Sequence, residues 1–449
     1  MTKTACIILA AGKGTRMKSD HPKVMHKVAG RSLLGHVISA ANATGAEQHC
    51  VVCGPDMAEV EQESKTFAPE AKIALQTDRL GTGHAVSMAR PALEGFNGTI
   101  LILYGDVPLI QPSTLEKLAD MVSESMPLAV LGFSAVNPKG YGRLLCDNEG
   151  YLEAIREERD ASDEERQIDL CNSGIMAVKA QTLWPLLERI DNNNANKEYY
   201  LTDIVALTVS DGKKVGVAVC SEAEVAGIND RVQLAAMEQV FQLYLRTTAM
   251  ENGATLIAPQ TVFFSADTKI GRDVIIEPNV FFGPGVEIDD EVIVHGFCHL
   301  TETKIGKKAV IGPYARLRPG ADLRAGCKVG NFVEVKKATI HEGAKVNHLS
   351  YIGDASVGEK ANIGAGTITC NYDGFDKAKT VIGEGAFIGS NSSLIAPVEI
   401  GAGAYVGSAT VVSGKVPDNA LALARAKQEI KPGWAERFRV AKSRKSKKS

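Results

Sequence analysis

From Ile270 onward an aliphatic side chain returns every sixth residue, and no other feature of this 449-residue chain restricts its fold so tightly. The series runs Ile270, Ile276, Phe282, Ile288, Val294, Leu300, Ile305, Ile311, Leu317, Leu323, Val329, Val335, Ile340, Val346, Ile352, Val357, Ile363 and Ile368. It pauses, then resumes at Ile382, Ile388, Leu394, Ile400, Val406 and Val412, with the step shortened to five at four places. A period of six matches neither a helix at about 3.6 nor an alternating strand at about 2. It suits a triangular coil whose three faces are short parallel strands, with each aliphatic stacked inward on its equivalents above and below. Residues 262–412 hold 21 of the 43 glycines, and glycine often follows the inward aliphatic, so glycine is expected to relieve the corner backbone. Twenty-four positions at three per coil predict eight coils. At about 4.8 Å between strands, that is a prism roughly 40 Å long. The break at Thr369 to Thr380 cannot follow the coil and is expected to loop out, as functional excursions from regular scaffolds do.

Upstream the texture is different. Residues 1–228 alternate short apolar runs (Ile7 to Ala11, Cys50 to Cys53, Ile100 to Tyr104, Ala129 to Phe133) with helical segments such as Leu33 to Thr44 and Pro112 to Val122. That alternation predicts a Rossmann-like α/β domain with a mostly parallel sheet, whose ligands sit beyond the carboxyl ends of the strands. Residues 229–252 read as a linker helix, capped by Asn229 or Asp230 and closed by Gly253. Residues 253–449 hold the repeats and a basic tail, in which Lys442, Arg444, Lys445, Lys447 and Lys448 suggest a solvated, disordered end.

Composition removes several classes. With 45% hydrophobic and 23% charged residues the chain is globular rather than disordered. A net charge of -3 gives no field for a nucleic-acid backbone or an anionic bilayer, so anion sites must be local and no nucleic-acid partner is expected. Nine scattered cysteines suit a reducing compartment, and the pair Cys50 and Cys53, inside a strand with no second pair at zinc spacing, reads as core. Lys13, Arg16 and Lys18 directly follow the first apolar run with no cleavage pattern, so it is a strand and not a signal peptide. No membrane span is expected, and the location expected is cytoplasmic.

Two constellations carry chemistry. In Leu9-Ala10-Ala11-Gly12-Lys13-Gly14-Thr15-Arg16-Met17, Met17 stands where a dinucleotide fingerprint has its third glycine, and the Gly-Lys-Ser/Thr of a P-loop is missing. What remains is a glycine-rich turn with Lys13, Arg16 and, soon after, Lys23, able to hold a polyphosphate and neutralise charge as a phosphoryl bond breaks. Asp106 ends the apolar run Leu101 to Tyr104 and suits an oxygen ligand on phosphate-bound Mg2+. In the repeats, Arg316, Arg318, Lys336 and Lys337 place cations on adjacent coils, and His348 stands two residues after an inward Val346. Acyl transfer to an amine needs a base that titrates near neutrality, which imidazole supplies.

The motifs LAAGKGTRM, HPKVMHKVAG, QTDRLGTGHA and YGDVPL closely resemble those of the sugar-1-phosphate nucleotidyltransferases. Adding GYGRLL, CNSGI, NKEYYLTDI, VAGINDR and the hexapeptide repeats, nearly the whole chain resembles the bifunctional N-acetylglucosamine-1-phosphate uridylyltransferases and glucosamine-1-phosphate N-acetyltransferases of bacterial cell-envelope synthesis. The resemblance implies that Leu9, Ala10, Ala11, Gly12, Lys23, Gln76, Gly81, Thr82, Tyr104, Gly105 and Asp106 surround UTP. Gly142, Glu157 and Asn172 would line the N-acetylhexosamine side, Asp106 and Asn229 would hold Mg2+, and Arg16 would stabilise phosphate charge. For the second site it implies His348 as base on the amine of glucosamine 1-phosphate, Arg318 and Lys336 on the sugar phosphate, and Tyr351, Asn362 and Asn371 on the ring. Glu334 is expected to help orient that group, and acetyl-CoA would lie along Ala365, Asn371, Tyr372, Ser390, Ser408 and Arg425. The family's β-helix is left-handed and its assembly a homotrimer. Two other readings remain open at this point: a nucleotidyltransferase carrying an inert or regulatory prism, and a non-catalytic scaffold of the same architecture.

Overall fold

The computed structural model describes residues 3–194 and 197–446, with side chains through residue 443, and divides the chain into compact units of residues 1–245 and 246–449. The basic-tail residues Lys447, Lys448 and Ser449 lie outside the described residues.

In the first unit the apolar runs become the strands Thr4–Leu9, Gln48–Cys53, Thr99–Tyr104 and Leu128–Ser134, joined by Lys72–Leu75, Leu170–Lys179 and Val215–Cys220. Across the sheet the order is Val215–Cys220, Leu128–Ser134, Leu170–Lys179, Thr99–Tyr104, Thr4–Leu9, Gln48–Cys53, Lys72–Leu75. All of these run parallel except Leu170–Lys179, which pairs antiparallel to both neighbours. The central strands are continuous apolar runs because helices cover both faces. Ile8, Leu101 and Leu103 pack with Leu34, Val37 and Leu115 on one side. Ile7, Ile100 and Ile102 pack with Val86, Leu183 and Ile204 on the other. Cys50 and Cys53 are buried in these cores, with the Cys50 thiol pushed up to about 12 by burial. A helix follows over Arg231–Glu251. Asp230, not Asn229, caps it, its Oδ1 accepting from the amides of Val232 and Gln233 at 2.9 and 2.8 Å. Gly253, at φ 99°, follows its end.

The second unit is the expected stack of parallel coils. Pairs such as Lys269 with Glu287, Glu287 with Lys304 and Lys304 with Asp322 step 18, 17 and 18 residues, three hexads per turn. The inward column Val294, Ile311, Val329 and Val346 is fully buried. Such parallel sheets are consistent with a left-handed β-helix.

Four details differ from the sequence reading. One face carries ten stacked strands among the described residues, from Thr255–Leu256 to Leu421–Ala422, so the stack is longer than eight coils. The missed rungs hold Leu256 and Ala422, which no glycine marks. The glycines after inward aliphatics mostly lack a positive φ, and the left-handed corner positions are filled by Asn279, Phe297, Tyr314 and Phe332 instead. Glycine serves close approach: a Cβ on Gly330 would sit 2.0 Å from the Asn347 carbonyl of the next coil. Ile368 is 47% exposed, and the inward residue is Thr369, at the unshortened step of six from Ile363. Finally, Trp434–Ser446 is helical rather than irregular, though exposed through residue 443.

The excursion is present but shorter than expected, covering residues 371–379, because Thr369, Cys370 and Thr380 stay on the coil in the strands Ile368–Cys370 and Thr380–Ile382. Asp373 Oδ1 orders it by accepting from the amides of Phe375 and Asp376, which leaves Tyr372 and Phe375 exposed. No helix among the described residues is long and apolar enough to cross a membrane.

Candidate active sites

The first site forms beyond the carboxyl ends of the parallel strands, where the turn after Leu9, the segment after Tyr104 and the lead-in to the Arg231–Glu251 helix meet. Backbone bonds hold these pieces in place. Gly105 N donates to Leu9 O at 2.9 Å, and Ile228 N to Asp106 O at 3.1 Å. Arg231 Nε donates to Met17 O at 3.2 Å. Residues far apart in sequence therefore converge: Lys23 Nζ contacts Asp106 Oδ2 and donates to Asn229 Oδ1 at 3.2 Å, and Arg16 Nη2 donates to the same Asn229 oxygen at 2.9 Å. Gly14 adopts φ 61°, and a Cβ there would lie 2.5 Å from Lys23 Cβ. A side chain at this turn would displace Lys23.

A cavity of about 270 Å³ opens here, lined by Leu9, Ala10, Ala11, Gly12, Lys23, Gln76, Gly81, Thr82, Tyr104 and Asp106. An adjoining cavity of about 480 Å³ shares Thr82, Tyr104 and Glu198 with it and takes in Glu157 and Asn172. Gly142 lies at its edge, accepting from Asn172 N at 2.8 Å, with its would-be Cβ 3.5 Å from Glu157 Oε1. Gly174, at φ 85°, leaves room for the Tyr104 ring, which a Cβ would meet at 2.6 Å. Burial, then the Asp106 and Glu157 charges, push the Tyr104 phenol up to about 12, keeping it a neutral donor and acceptor. Burial also raises Glu157, reinforced by Asp160 and Asp203. Such a carboxyl suits sugar hydroxyls better than phosphate. Lys13 is exposed and lines neither cavity.

Sequence reasoning missed Arg79, which lines the first cavity and donates from Nε to Ala11 O at 2.9 Å, and Glu198, which lines both. Arg79 stood inside a quoted motif, but only tertiary contact reveals its hold on the glycine-rich turn.

In the prism, strand register assembles the second constellation. His348 pairs with Asn331 one coil earlier, and its Nδ1 lies 2.6 Å from Asn331 Oδ1. The amide oxygen can only accept, so Nδ1 carries the proton in this contact and Nε2 is left as the basic nitrogen. Arg318 Nη1 donates to Glu334 Oε1 at 2.8 Å, and Arg316 stands 3.6 Å from the same carboxylate, so Glu334 partners these two arginines rather than Lys336. Lys336 Nζ lies 3.8 Å from Asp354 Oδ2, which also accepts from Asn371 at the root of the excursion. Glu334 and Tyr351 are register partners, and the Tyr351 ring lies over Gly353. Asn362 sits on the strand paired with Lys345 and Phe387.

Of the residues expected along the coenzyme, Ala365, Ser390, Ser408 and Arg425 form a column. Asn391 N donates to Ala365 O and Ala409 N to Ser390 O, while Arg425 Nη1 donates to Ser408 O at 3.1 Å. Ala365, Ser390 and Ser408 thus repeat at one corner of successive coils. Tyr372, His348 and Arg425 are exposed on the single chain. A wider groove of about 560 Å³, walled by ion-pairing residues such as Asp322, Arg324 and Lys304, holds none of the expected site residues. Asn331 and Asp354 were missed although each lies one 17-residue coil before a residue that was named, His348 and Asn371.

A nucleotide cavity on a parallel sheet, followed by a hexapeptide prism with its own polar constellation, defines a nucleotidyltransferase fused to a hexapeptide-repeat transferase. Family models agree: residues 6–169 match a MobA-like NTP transferase domain, and residues 267–302 and 379–414 match bacterial transferase hexapeptide repeats. Bifunctional protein GlmU of Azorhizobium caulinodans is 53% identical over 438 residues, 98% of each chain. That of Paramagnetospirillum magneticum is 53% identical over 449 residues, all of this chain and 99% of its own. That of Zymomonas mobilis is 50% identical over 444 residues, 98% of each. The chain belongs to the bifunctional GlmU family.

Proposed function

We infer that this chain makes UDP-N-acetylglucosamine by two transfers in succession. In the prism, the amine of glucosamine 1-phosphate attacks the thioester carbonyl of acetyl-CoA. The C–N bond forms, the C–S bond breaks, and the amine proton passes to His348 Nε2, with Nδ1 held by Asn331. Arg318 and Lys336 take the sugar phosphate, and Tyr351, Asn362 and Asn371 the ring. Ala365, Tyr372, Ser390, Ser408 and Arg425 take the coenzyme. In the first unit, a phosphate oxygen of N-acetylglucosamine 1-phosphate attacks the α-phosphorus of UTP and the α–β bridge breaks, releasing pyrophosphate with no covalent enzyme intermediate. Leu9 to Gly12, Gln76, Gly81 and Thr82 hold the nucleotide, and Lys23 and Arg16 balance phosphate charge. Glu157, Asn172 and Gly142 receive the N-acetylhexosamine.

Mg2+ fits the Asp106 and Asn229 pair. A carboxylate and an amide carbonyl are the hard oxygen donors this ion takes, and both already face a cation. Bound there on the phosphates, the ion supplies charge neutralisation. The observation that carries the bifunctional reading over a lone nucleotidyltransferase is the His348–Asn331 contact, which a structural prism does not need.

A homotrimer is the assembly we favour. The stacked rings of Phe297, Tyr314 and Phe332, with centroids 4.9 and 5.0 Å apart, stay exposed beside Leu349 along one corner of the prism. Copies packed side by side would cover them. All nine cysteines are free thiols, which suits the cytoplasm. The test supplies glucosamine 1-phosphate, acetyl-CoA, UTP and Mg2+: Asp106→Ala accumulates N-acetylglucosamine 1-phosphate, and His348→Ala makes no product until that intermediate is added. Normal acetylation by His348→Ala would refute the base assignment.

A further inference from the structure

Both oxygen ligands assigned to the metal point at one ammonium. Lys23 Nζ contacts Asp106 Oδ2 and donates to Asn229 Oδ1, whose second acceptor site is taken by Arg16. The pair is largely withdrawn from water, with the Lys23 and Asp106 side chains 15% and 17% exposed. We propose that Lys23 is a placeholder cation, occupying the divalent-ion position until nucleotide phosphates draw it away, so that metal and nucleotide enter together. This rests on the reading of Asp106 and Asn229 as metal ligands.

The physical reason is charge balance in a poorly hydrated site. A divalent ion arriving alone must strip the ammonium from Asp106 and leave Lys23 mostly buried without a counter-charge, which is strongly unfavourable. Nucleotide changes this, because Lys23 lines the same cavity as Gly12 and Gly81. Its phosphates become the new partner of the ammonium, and Asp106 and Asn229 are released for the ion that the phosphates carry. The Gly14 turn passes beside the Cα, Cβ and Cγ of Lys23, where an added methyl would clash, so the outer bonds of the side chain are left to make the exchange. By linkage, metal then raises nucleotide affinity by the factor that nucleotide raises metal affinity. Arg16 contacts only the Asn229 amide among these ligands, so it cannot stand in for the charge on Asp106.

The test is Mn2+ titration of the full chain by electron paramagnetic resonance, without nucleotide. Wild type binds weakly, and Lys23→Met binds about ten- to a hundredfold more tightly. Lys23→Arg, which keeps a cation, stays weak, and adding Asp106→Asn to Lys23→Met removes the gain. If Lys23→Met binds Mn2+ no better than wild type, or Lys23→Arg as tightly as Lys23→Met, the placeholder role is overturned. A parallel arm titrates Mn2+ with UTP and no sugar phosphate. Binding that depends on Asp106 there preserves the metal assignment even if the placeholder fails, whereas binding indifferent to Asp106→Asn overturns both.

Discussion

The two sites are built by opposite means. In the first unit, turns at the ends of parallel strands bring together residues as distant as Arg16 and Asn229, and a largely buried ion pair waits at their meeting point. In the prism nothing converges from afar. His348 meets Asn331, and Asn371 meets Asp354, because the coil step at each of these places is 17 residues. The first site depends on loop conformation and the second on register, so different substitutions damage them.

That contrast can be broken hardest by removing reacting groups. Asp106→Ala should lower uridylyl transfer by about 10²- to 10³-fold, and His348→Ala acetyl transfer by about 10²- to 10⁴-fold. Each should leave the other activity at wild-type rate, and separate assays of the two half-reactions check this. A smaller loss is expected from Asn331→Ala, which frees the imidazole to rotate and should slow acetylation by about 10- to 100-fold. The kcat should fall more than the KM rises, which a merely structural role would not produce.

Backbone changes sharpen the comparison. Gly330→Ala drives a methyl toward the Asn347 carbonyl at 2.0 Å and should cost the prism about 1–3 kcal/mol. Acetylation should fall and uridylylation stay intact, with unfolding followed by calorimetry. Gly14→Ala should do the reverse, because it combines a left-handed φ of 61° with the clash on Lys23, and UTP turnover should fall while acetylation is unaffected.

The smallest effect concerns Glu157. Its carboxyl is raised by burial, so the folded chain holds that proton to higher pH than the unfolded chain. The stability this lends is present at low pH and lost as pH rises through the folded value. Glu157→Gln should therefore raise the melting temperature of the first unit at pH 7 and leave it unchanged near pH 4.

How much of this was legible in the sequence followed the same division. Register is arithmetic, so the coils, the excursion and the position of His348 could be read from spacing. The aliphatic period misleads where another residue type holds the inward place, as Thr369 does in place of Ile368, and it stops short of the rungs at Leu256 and Ala422. Asn331 and Asp354 needed only the coil step subtracted. In the first unit, the strands and the glycine-rich turn were visible as apolar runs and punctuation. The reversed strand Leu170–Lys179 was not, since its buried residues look the same in either direction. The grip of Arg79 on Ala11 and the convergence on Asn229 depend on folding over long separations, and local pattern carries no trace of them.

The most direct test mixes two disabled proteins. Asp106→Ala and His348→Ala, each unable to convert glucosamine 1-phosphate to UDP-N-acetylglucosamine, are combined with glucosamine 1-phosphate, acetyl-CoA, UTP and Mg2+. Two self-sufficient sites working in sequence predict that the mixture makes the nucleotide sugar after a lag, as free N-acetylglucosamine 1-phosphate passes from the first protein to the second. A mixture that stays silent while that intermediate accumulates in solution would contradict it.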